Sequence, residues 1–342
     1  MPTHIGLIGG GNITDTHARA ALAIPGVEIS AIYGTHSDKI AQLSKNYGGA
    51  PFADIEEFMA HRPMELVIIG SPSGLHAEHG IKAARQKLHV LTEKPIDITT
   101  ARADALITEC ENSKVKLGVL FQDRTKPDVH RLKNFLAEGA LGKLILADAQ
   151  VKWYRPPEYY GNSSWRGKFA LDGGGALINQ GVHTVDLLLC LMGDVVSVQA
   201  QMATALHNIE AEDTITALLE FANGAIGTLV ATTSAYPGYP RSIEVSGSEG
   251  TVILEHDKII RADLKTPDPN LLEESESRDQ NQSATSATVS DIRGHQALIE
   301  DFLRAIRTNS RPLCDGKEGR RSVALIEAIY EAARSGERVS VV

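Results

Sequence analysis

The chain has 342 residues, of which 42% are hydrophobic and 23% charged, and its formal net charge is −9. This length allows two domains, and this composition is typical of a folded globular protein, which excludes a chain that is disordered throughout. An acidic chain also lacks the clustered lysine and arginine that bind phosphate backbones, so neither nucleic acid nor a membrane surface is expected as its main partner. The expected partner is a small molecule.

The three cysteines, Cys110, Cys190 and Cys314, lie far apart without paired spacing. Neither a disulfide framework nor a thiolate metal site is therefore expected, and a reducing compartment suits the chain. The N-terminus runs straight into an apolar strand candidate without a basic and apolar leader, and no run approaches membrane-spanning length. We expect a cytoplasmic protein without a bound metal.

The first part of the chain alternates short apolar runs with helical patterns. Strand candidates are residues 5–8, 27–33, 65–69, 88–91 and 116–121, and helix candidates are residues 12–23, 37–46, 76–86 and 99–112. This alternation predicts an α/β domain over residues 1–121 with a doubly wound parallel sheet, a Rossmann domain. Ligands of such sheets bind at the carboxyl ends of the strands, so the turns that follow the strands are the candidate site.

The first strand candidate ends in the glycine turn GGGNIT at residues 9–14. Strand, glycine turn and helix is the dinucleotide-binding order, in which the backbone approaches a pyrophosphate at a helix N-terminus. Gly9, Gly11, Asn12 and Ile13 are therefore candidate cofactor-binding residues. Thr14 stands where a third glycine is usual, and a small residue can serve the same close packing. A merely structural glycine turn is the alternative, and the position at the start of the alternation favours the dinucleotide.

The end of the second strand candidate bears on the choice of cofactor. Gly34 stands about where an NAD-preferring enzyme would often place an acid for the ribose hydroxyls. The side chains of Thr35, His36, Ser37 and Lys39 could instead hold a 2′-phosphate, so NADP(H) is favoured and NAD(H) is the alternative. The competing interpretation is that these residues merely start the next helix, with Ser37 as its N-cap.

Three further polar segments follow strand candidates at the same edge. They are Ser71-Pro72 with His76, the turn Glu93-Lys94-Pro95, and Gln122. A charged pair before proline is, taken alone, typical of a solvated surface turn. Because this one follows a buried strand of the predicted sheet, it favours Lys94 as a catalytic lysine, with the other residues of these segments as candidate cofactor contacts.

Beyond residue 121 the pattern changes to many strands with glycine turns. A helix candidate at residues 128–138 precedes strand candidates at residues 144–153, 195–202, 213–221, 225–234, 241–246 and 250–255, and helix candidates at residues 294–307 and 316–334 close the chain. Residues 122–342 thus predict an α+β substrate domain with a large, mainly antiparallel open sheet, whose terminal helices could pack back on the first domain. The polar stretch 264–291 predicts an exposed loop.

Two loops of this second part concentrate aromatic residues and arginines, in a chain with only 5% aromatic residues. They contain Tyr154 and Arg155, then Trp165 and Arg166. Aromatic faces with flanking cations suit a sugar or polyol ring, because the faces pack against carbon and the polar groups bind hydroxyls. An oligomer interface is the alternative interpretation.

A glycine-rich loop at residues 173–175 enters a predicted helix that carries Asn179 and His183. The two are four residues apart and therefore share one helical face, and Asp186 could orient the imidazole from the same helix. A lone helical histidine is usually structural, but an asparagine one turn earlier, behind three glycines, favours a functional one.

Taken in chain order, the glycine turn, the Ser71-to-His76 turn, Glu93-Lys94-Pro95, Gln122 and the helix through His183 resemble the Gfo/Idh/MocA family over nearly the whole chain. The resemblance implies a Rossmann domain, a C-terminal open sheet that often forms a dimer or tetramer interface, and NAD(P)-dependent oxidation or reduction of a sugar or cyclitol carbon. It implies that Lys94 and His183 are catalytic. Where the family often has an aspartate this chain has Asn179, which cannot relay a proton and is expected to orient a substrate hydroxyl or the nicotinamide.

Oxidation of a carbinol needs a proton acceptor, and His183 and Lys94 are the candidates. Histidine has an ordinary pKa of about 6.5 and lysine of about 10.4, so histidine needs less tuning. We expect His183 to be the base and Lys94 to stabilise the reacting oxygen, and the reverse assignment stays open.

The alternative substrate is a UDP-sugar, whose diphosphate Arg155, Arg166 and Lys168 could bind. The alternative class is a catalytically silent NAD(P)-binding sensor, which the presence of both catalytic candidates disfavours.

Overall fold

The computed structural model describes residues 2–272 and 291–342. Within these residues the chain forms two compact units. The first draws on residues 2–122 and 291–320, and the second on residues 123–272 and 321–342. Each unit is built around one β-sheet.

The sheet of the first unit has six parallel strands: β1 (Thr3–Ile8), β2 (Val27–Tyr33), β3 (Ala50–Phe52), β4 (Leu66–Ile69), β5 (His89–Glu93) and β6 (Leu117–Leu120). Their order across the sheet is β3-β2-β1-β4-β5-β6, and all pairs are parallel. Helices cover both faces of such a sheet, so its central strands are continuous apolar runs, and all residues of β4 are buried. The predicted doubly wound α/β fold is confirmed.

Five helices connect these strands: α1 (Asn12–Leu22), α2 (Ser37–Tyr47), α3 (Ile55–Ala60), α4 (His76–Arg85) and α5 (Thr100–Ser113). The predicted helices correspond to α1, α2, α4 and α5 within one residue at each end. The sequence analysis missed β3 and α3. The start of α3 carries a recognisable signal, because the side chain of Asp54 accepts hydrogen bonds from the backbone N–H groups of Glu56 and Glu57.

The sheet of the second unit has eight strands: β7 (Leu144–Lys152), β8 (Val195–Ala203), β9 (Thr214–Phe221), β10 (Ile226–Thr232), β11 (Ser242–Gly247), β12 (Gly250–Glu255), β13 (Lys258–Leu264) and β14 (Val339–Ser340). Their order is β13-β12-β11-β7-β10-β9-β8-β14. Only β7 and β10 pair in parallel among these neighbours. The predicted mainly antiparallel sheet is confirmed, and β13 and β14 were not predicted.

The helices of this part of the chain are α6 (Pro127–Ala137), α7 (Pro157–Gly161), α8 (Phe169–Asp172) and α9 (Val182–Met192), with a π-helix at Ala176–Gly181. Among the described residues, Phe169–Met192 is the one stretch long and apolar enough to span a membrane, and 83% of its apolar window is buried inside the protein. The expectation that no run approaches that length is corrected for this stretch. Burial of this stretch is what the core helices of a large domain show, and its polar residues contact partners inside the protein.

Two long helices follow, α10 (Arg293–Thr308) and α11 (Gly316–Ser335). Four residues of α10, Leu298, Ile299, Phe302 and Leu303, join the apolar core of the first unit. Their spacing of three and four residues makes one buried helical face. In the described part of the chain, residues 291–320 lie with the first unit. The sequence analysis placed the second domain at residues 122–342, with terminal helices that could pack back on the first.

The stretch predicted as an exposed loop, residues 264–291, lies only partly within the described residues. Residues 265–267 are exposed. Leu271 is instead buried in a short 3-10 turn, and its carbonyl oxygen accepts a hydrogen bond from Arg131 at 3.1 Å. Residues 273–290 lie outside the described part of the chain.

Candidate active site

The turn after β1 is a glycine turn that meets the first turn of α1. Gly9 has a φ of +132°, and a Cβ there would lie 2.6 Å from Oγ1 of Thr14, so glycine is required. At Gly11 no described heavy atom lies within 4 Å of where a Cβ would stand. Gly11 caps α1 without a side-chain hydrogen bond, which leaves the first N–H groups of the helix, at Asn12 and Ile13, to bind an anion. This turn fits the pyrophosphate of a dinucleotide.

The residues predicted to hold a 2′-phosphate lie at the start of α2. Thr35, His36, Ser37 and Lys39 are all exposed, and Cβ of Lys39 lies 3.8 Å from where a Cβ of Gly10 would stand. The alternative that Ser37 is the N-cap is wrong, since the N-cap is His36, whose side chain makes no capping hydrogen bond. These polar side chains therefore lie at the surface beside the glycine turn.

The turns after β4 and β5 are tied together by His76. Its Nδ1 lies 2.7 Å from the carbonyl oxygen of Pro95, and its Nε2 lies 2.9 Å from the carbonyl oxygen of Ser71. The residue is 1% exposed. His76 therefore supports two turns from inside the unit, and its predicted cofactor contact stays a prediction. Ser71 and Pro72 are half-buried on the first of these turns.

Lys94 follows β5 directly, at the carboxyl edge of the parallel sheet. It is half-buried, and its peptide bond to Pro95 is cis. Because β1, β4 and β5 are neighbours in the sheet, the glycine turn, the Ser71 turn and Lys94 share this edge. Gln122, half-buried, comes two residues after β6 at the same edge. The structure thus brings the candidate cofactor turns and the candidate catalytic lysine together within the first unit.

Glu93 is the last residue of β5, and its side chain is buried inside the first unit. Its Oε1 lies 2.9 Å from Nε2 of His17 and 3.3 Å from Nε2 of His295. Burial alone would raise the pKa of Glu93, but hydrogen bonds from the two imidazoles bring it well below its ordinary value. Burial lowers the pKa of His17. The described contacts of the Glu93 side chain are thus internal, its predicted cofactor contact stays a prediction, and neither histidine was predicted.

In the second unit, the glycine loop before the π-helix is held by Glu212. A Cβ on Gly175 would overlap the carbonyl oxygen of Glu212. The Glu212 carboxylate accepts hydrogen bonds from the N–H groups of Gly175 and Leu177, at 2.9 and 2.8 Å, and from the hydroxyl of Tyr330 at 2.9 Å. Burial raises the pKa of Glu212 to about 7. These contacts fix the backbone that leads to Asn179.

His183, in the first turn of α9, lies beside an acid that the sequence analysis did not identify. Its Nδ1 is 3.2 Å from Oδ2 of Asp123, and Arg241 lies 2.7 Å from the same oxygen. Burial alone would raise the pKa of Asp123, but Arg241 and then His183 hold it well below its ordinary value. A charged carboxylate therefore contacts the imidazole on its Nδ1 side.

Asp186, which was expected to orient this imidazole, is paired with Arg124. Its Oδ2 and Oδ1 lie 2.8 and 2.7 Å from Nε and Nη2 of the guanidinium, a bidentate arrangement. The two side chains are 2% and 4% exposed. The expectation is corrected, since the acid at Nδ1 of His183 is Asp123.

Asn179 lies in the π-helix, within a network of polar side chains. Its Nδ2 donates to Oδ1 of Asp172 at 2.5 Å, and its Oδ1 accepts from Nε2 of Gln180 at 2.7 Å. Gln180 also donates to the hydroxyl of Tyr159 at 2.7 Å. Hydrogen bonds of a π-helix run from i to i+5, so the α-helical spacing predicted between Asn179 and His183 is not the local geometry. Substrate binding by Asn179 stays a prediction.

The aromatic and arginine loops form stacked groups. Arg155 is 2% exposed, and its guanidinium lies over the rings of Trp153 and Tyr159 at 5.0 and 5.6 Å. Arg166 is half-buried and lies 4.3 Å from the centroid of the Tyr159 ring. Arg155 is therefore an internal residue, whereas Arg166 is partly exposed and also donates a hydrogen bond to the carbonyl oxygen of Tyr159 at 3.2 Å. The other predicted substrate-binding residues of these loops, Tyr154 and Trp165, are half-buried.

Replacing Asn179 by aspartate tests this network. The variant places two carboxylates in contact at a buried site, so they would share one proton and one pKa would rise in the folded state. A raised folded pKa gives stability that is complete at low pH and lost as the pH rises, so we expect Asn179→Asp to lose about 2–3 kcal/mol between about pH 5 and pH 8. Urea unfolding across this range measures the loss.

The swapped double variant, Asp172→Asn with Asn179→Asp, is the matched control because it restores one amide and one carboxylate. We expect its pH dependence to match the parent protein. Equal stability of Asn179→Asp at both ends of the pH range would contradict the contact between the two side chains.

Several residues that form contacts in the site were not predicted from the sequence. Asp123 comes directly after Gln122, behind the last strand of the parallel sheet, so the rule that selected Lys94 could have selected it. Arg241 and Asp172 carry no local signal, because their partners lie in other elements. His17 lies one turn after Ile13 on α1. The sequence could have predicted that it is buried, but a single histidine on a buried helix face is common in protein cores and does not indicate a site.

Three features together define a dinucleotide-binding oxidoreductase. They are the parallel sheet, the glycine turn at the N-terminus of α1, where no side chain caps the helix, and the lysine turn at the same edge of the sheet. The family model described as oxidoreductase family, NAD-binding Rossmann fold, matches residues 3–121, and the model of the GFO/IDH/MocA C-terminal domain matches residues 129–253. The chain belongs to the Gfo/Idh/MocA family, and it is an NAD(P)-dependent oxidoreductase. The resemblance inferred from the sequence is confirmed.

Relatives of the chain are dehydrogenases whose names or bound ligands differ from one another. The WlbA dehydrogenase from Bordetella pertussis, solved with NADH and UDP-GlcNAcA, is 30% identical with a TM-score of 0.90, covering 100% of this chain and 98% of that one. Inositol 2-dehydrogenase of Rhizobium meliloti is 24% identical and covers 100% of both chains. Levoglucosan dehydrogenase of Pseudarthrobacter phenanthrenivorans is 25% identical over 75% of this chain and 74% of its own.

Proposed function

We propose that the protein transfers a hydride between a nicotinamide cofactor and a ring carbinol or ketone of a sugar, glycoside or cyclitol. The observation that carries the proposal is Lys94 at the carboxyl edge of β5, on the same edge as the glycine turn. The relatives named as sugar and cyclitol dehydrogenases support the substrate class. Aromatic and amide side chains of the second unit suit a hydroxylated ring.

The role proposed for each side chain follows from the chemistry of its polar group. A nicotinamide cofactor held at the glycine turn would supply the hydride acceptor or donor. Lys94 donates a hydrogen bond to the reacting oxygen and stabilises its developing negative charge. His183 exchanges the hydroxyl proton through Nε2, because Asp123 lies on the Nδ1 side of the ring and orients it. Asn179 orients a substrate hydroxyl, and the reverse assignment of the base, to Lys94, is the alternative.

The function is tested in two stages. Thermal-shift titration with NAD(H) and NADP(H) first identifies the cofactor. Free sugars, glycosides, inositols and UDP-sugars are then screened for a change in nicotinamide absorbance. A change with a free sugar or cyclitol supports the proposal. Cofactor binding without a change for any compound would favour the catalytically silent sensor.

A UDP-sugar is the second candidate substrate. It is favoured by the Bordetella pertussis relative, which was solved with UDP-GlcNAcA. The basic residues available for a diphosphate are half-buried Arg166 and exposed Lys168, since Arg155 is buried among aromatic rings. The UDP-sugar arm of the screen separates the two candidates, because turnover only with nucleotide-linked sugars would replace the first.

The preference for NADP(H) over NAD(H) is a further proposal, supported by the exposed polar side chains beside the glycine turn. We expect Lys39→Ala to weaken NADP(H) binding about tenfold, because it removes one charge-assisted hydrogen bond to the 2′-phosphate. NAD(H) binding would change less than about twofold, since NAD(H) lacks that phosphate. Fluorescence titration measures both. Lys45→Ala, exposed in the last turn of the same helix, is the control, and an equal effect of Lys39→Ala on both cofactors would contradict the preference.

We also propose that the second-unit sheet binds a second copy of the chain, in a dimer or tetramer. Leu218 and Ile226 are 59% and 60% exposed on adjacent strands, and the residue paired with Leu218 is Thr228, two residues from Ile226. They therefore share the open face of the sheet. Exposed apolar residues clustered on one face are typical of protein interfaces. Sedimentation of the purified chain as a monomer at every concentration would contradict the proposal.

A further inference from the structure

A buried cluster of His17, Glu93 and His295 has no part in the steps proposed above. The three residues come from α1, the end of β5 and α10, all within the first unit. They are 0%, 6% and 1% exposed. The facing atoms, Nε2 of each histidine and Oε1 of the glutamate, lie within 4.8 Å of one another. Three distant segments of the chain thus meet at the residue that precedes Lys94.

The hydrogen bonds define the protonation of this cluster. A carboxylate only accepts, so the Nε2 atoms that face Oε1 of Glu93 carry protons. Within the described part of the chain, Nδ1 of His17 and Nδ1 of His295 have no hydrogen-bond partner. A proton there would be a buried donor without an acceptor, which is costly. Each imidazole therefore donates its Nε2–H to the carboxylate, which stays charged between the two donors.

The second carboxylate oxygen of Glu93 binds the backbone of the lysine turn. Oε2 of Glu93 accepts a hydrogen bond from the backbone N–H of Lys94 at 3.1 Å. Donors on both oxygens hold the carboxylate plane in one orientation, and this orientation sets the backbone from which the lysine side chain starts. Loss of either imidazole donor would leave Oε1 buried and short of hydrogen bonds, so the carboxylate would reorient towards other donors.

We propose that His17 and His295 are positioning residues for Lys94, acting through the Glu93 carboxylate. They couple the helix that follows the glycine turn, and α10, to the start of the lysine side chain. The effect on catalysis rests on the proposed function of Lys94, whereas the effect on the turn does not.

The same three side chains have the composition of a two-histidine, one-carboxylate metal site. Two features argue against a metal. A metal-bound histidine normally donates its second N–H to a partner, and neither Nδ1 has one within the described residues. The distance of 2.9 Å between Nε2 of His17 and Oε1 is that of a direct hydrogen bond.

The first test needs no substrate. His17→Leu and His295→Leu remove the donors, whereas His17→Gln and His295→Gln keep an N–H in a similar place. We expect the amide of Lys94 to exchange hydrogen about tenfold faster in the leucine variants, and within about threefold of the parent rate in the glutamine variants. Mass spectrometry of the peptide that contains Lys94 measures the exchange. His89→Leu, at the other end of β5, is the matched control and is expected to leave the rate unchanged.

The second test uses the substrate found in the screen. We expect the leucine variants to lower kcat about tenfold, while the Kd for the cofactor identified by titration changes less than about threefold, because the glycine turn is kept. An unchanged exchange rate in the double leucine variant would overturn the positioning role. So would a stoichiometric divalent metal in the purified protein that the leucine variants lose. If the screen yields no substrate, the proposed function fails and the exchange measurement still decides the positioning role.

Discussion

Lys94→Met is expected to lower kcat/KM about 10³-fold on the substrate identified in the screen, the largest effect of any single change proposed for this protein. Methionine keeps much of the length of the side chain but removes its charge and its hydrogen-bond donors. The contact to Glu93 uses the backbone N–H of residue 94 and is kept in the variant. The loss would therefore report the ammonium group, measured by steady-state kinetics alongside fluorescence titration of the cofactor.

Lys116→Met is the control for this experiment. Lys116 is also half-buried, but it precedes β6 and so lies at the amino edge of the parallel sheet, opposite Lys94. We expect it to keep normal turnover. Normal turnover of Lys94→Met would contradict both assignments of the lysine, as stabiliser of the oxygen and as base.

The parallel sheet could be predicted because buried parallel strands are continuous apolar runs, and the helices between them have clear ends. The missed strand β13 shows where such reasoning stops. It pairs with β12 through a tight turn at His256 and Asp257, both with positive φ. Two-residue turns of this kind are usually recognised by Asn-Gly or Asp-Gly, and His-Asp gives no such signal. The sequence analysis allowed the terminal helices to pack back on the first domain, but which residues of α10 join that core depends on tertiary packing that no local pattern encodes.

The candidate site likewise contains residues that the sequence could predict and contacts that it could not. Lys94 was predictable because the end of a parallel strand fixes where the next residue lies. The partner of His183 was not, because Asp186 and Asp123 are both plausible acids and only the fold decides between them. Arg124, the neighbour of Asp123 in the chain, takes Asp186 in a buried bidentate pair. The three-residue spacing of His183 and Asp186 on one helix therefore did not predict which acid contacts the imidazole.

The proposed role of Asp123 predicts the second large effect. We expect Asp123→Asn to lower kcat about 100-fold, because the amide removes the charge that orients His183 and stabilises it when it carries a proton. The variant also leaves Arg241 with one acid in place of two, so the free energy of unfolding is expected to fall by about 2 kcal/mol. Combining the change with His183→Asn separates the two effects. In that background Asp123→Asn should cost little further activity, since the group it acts through is gone.

Asp257→Asn is the matched control for a loss that comes only from Arg241. Asp257 is the other acid paired with Arg241, and its backbone has a φ of 65°, which asparagine adopts readily. We expect this variant to lower stability in the same way and to keep kcat, since the acid beside His183 remains. If Asp257→Asn lowered kcat as much as Asp123→Asn, the activity loss would follow from the buried guanidinium, and Asp123 would be a structural acid rather than the partner of the catalytic imidazole.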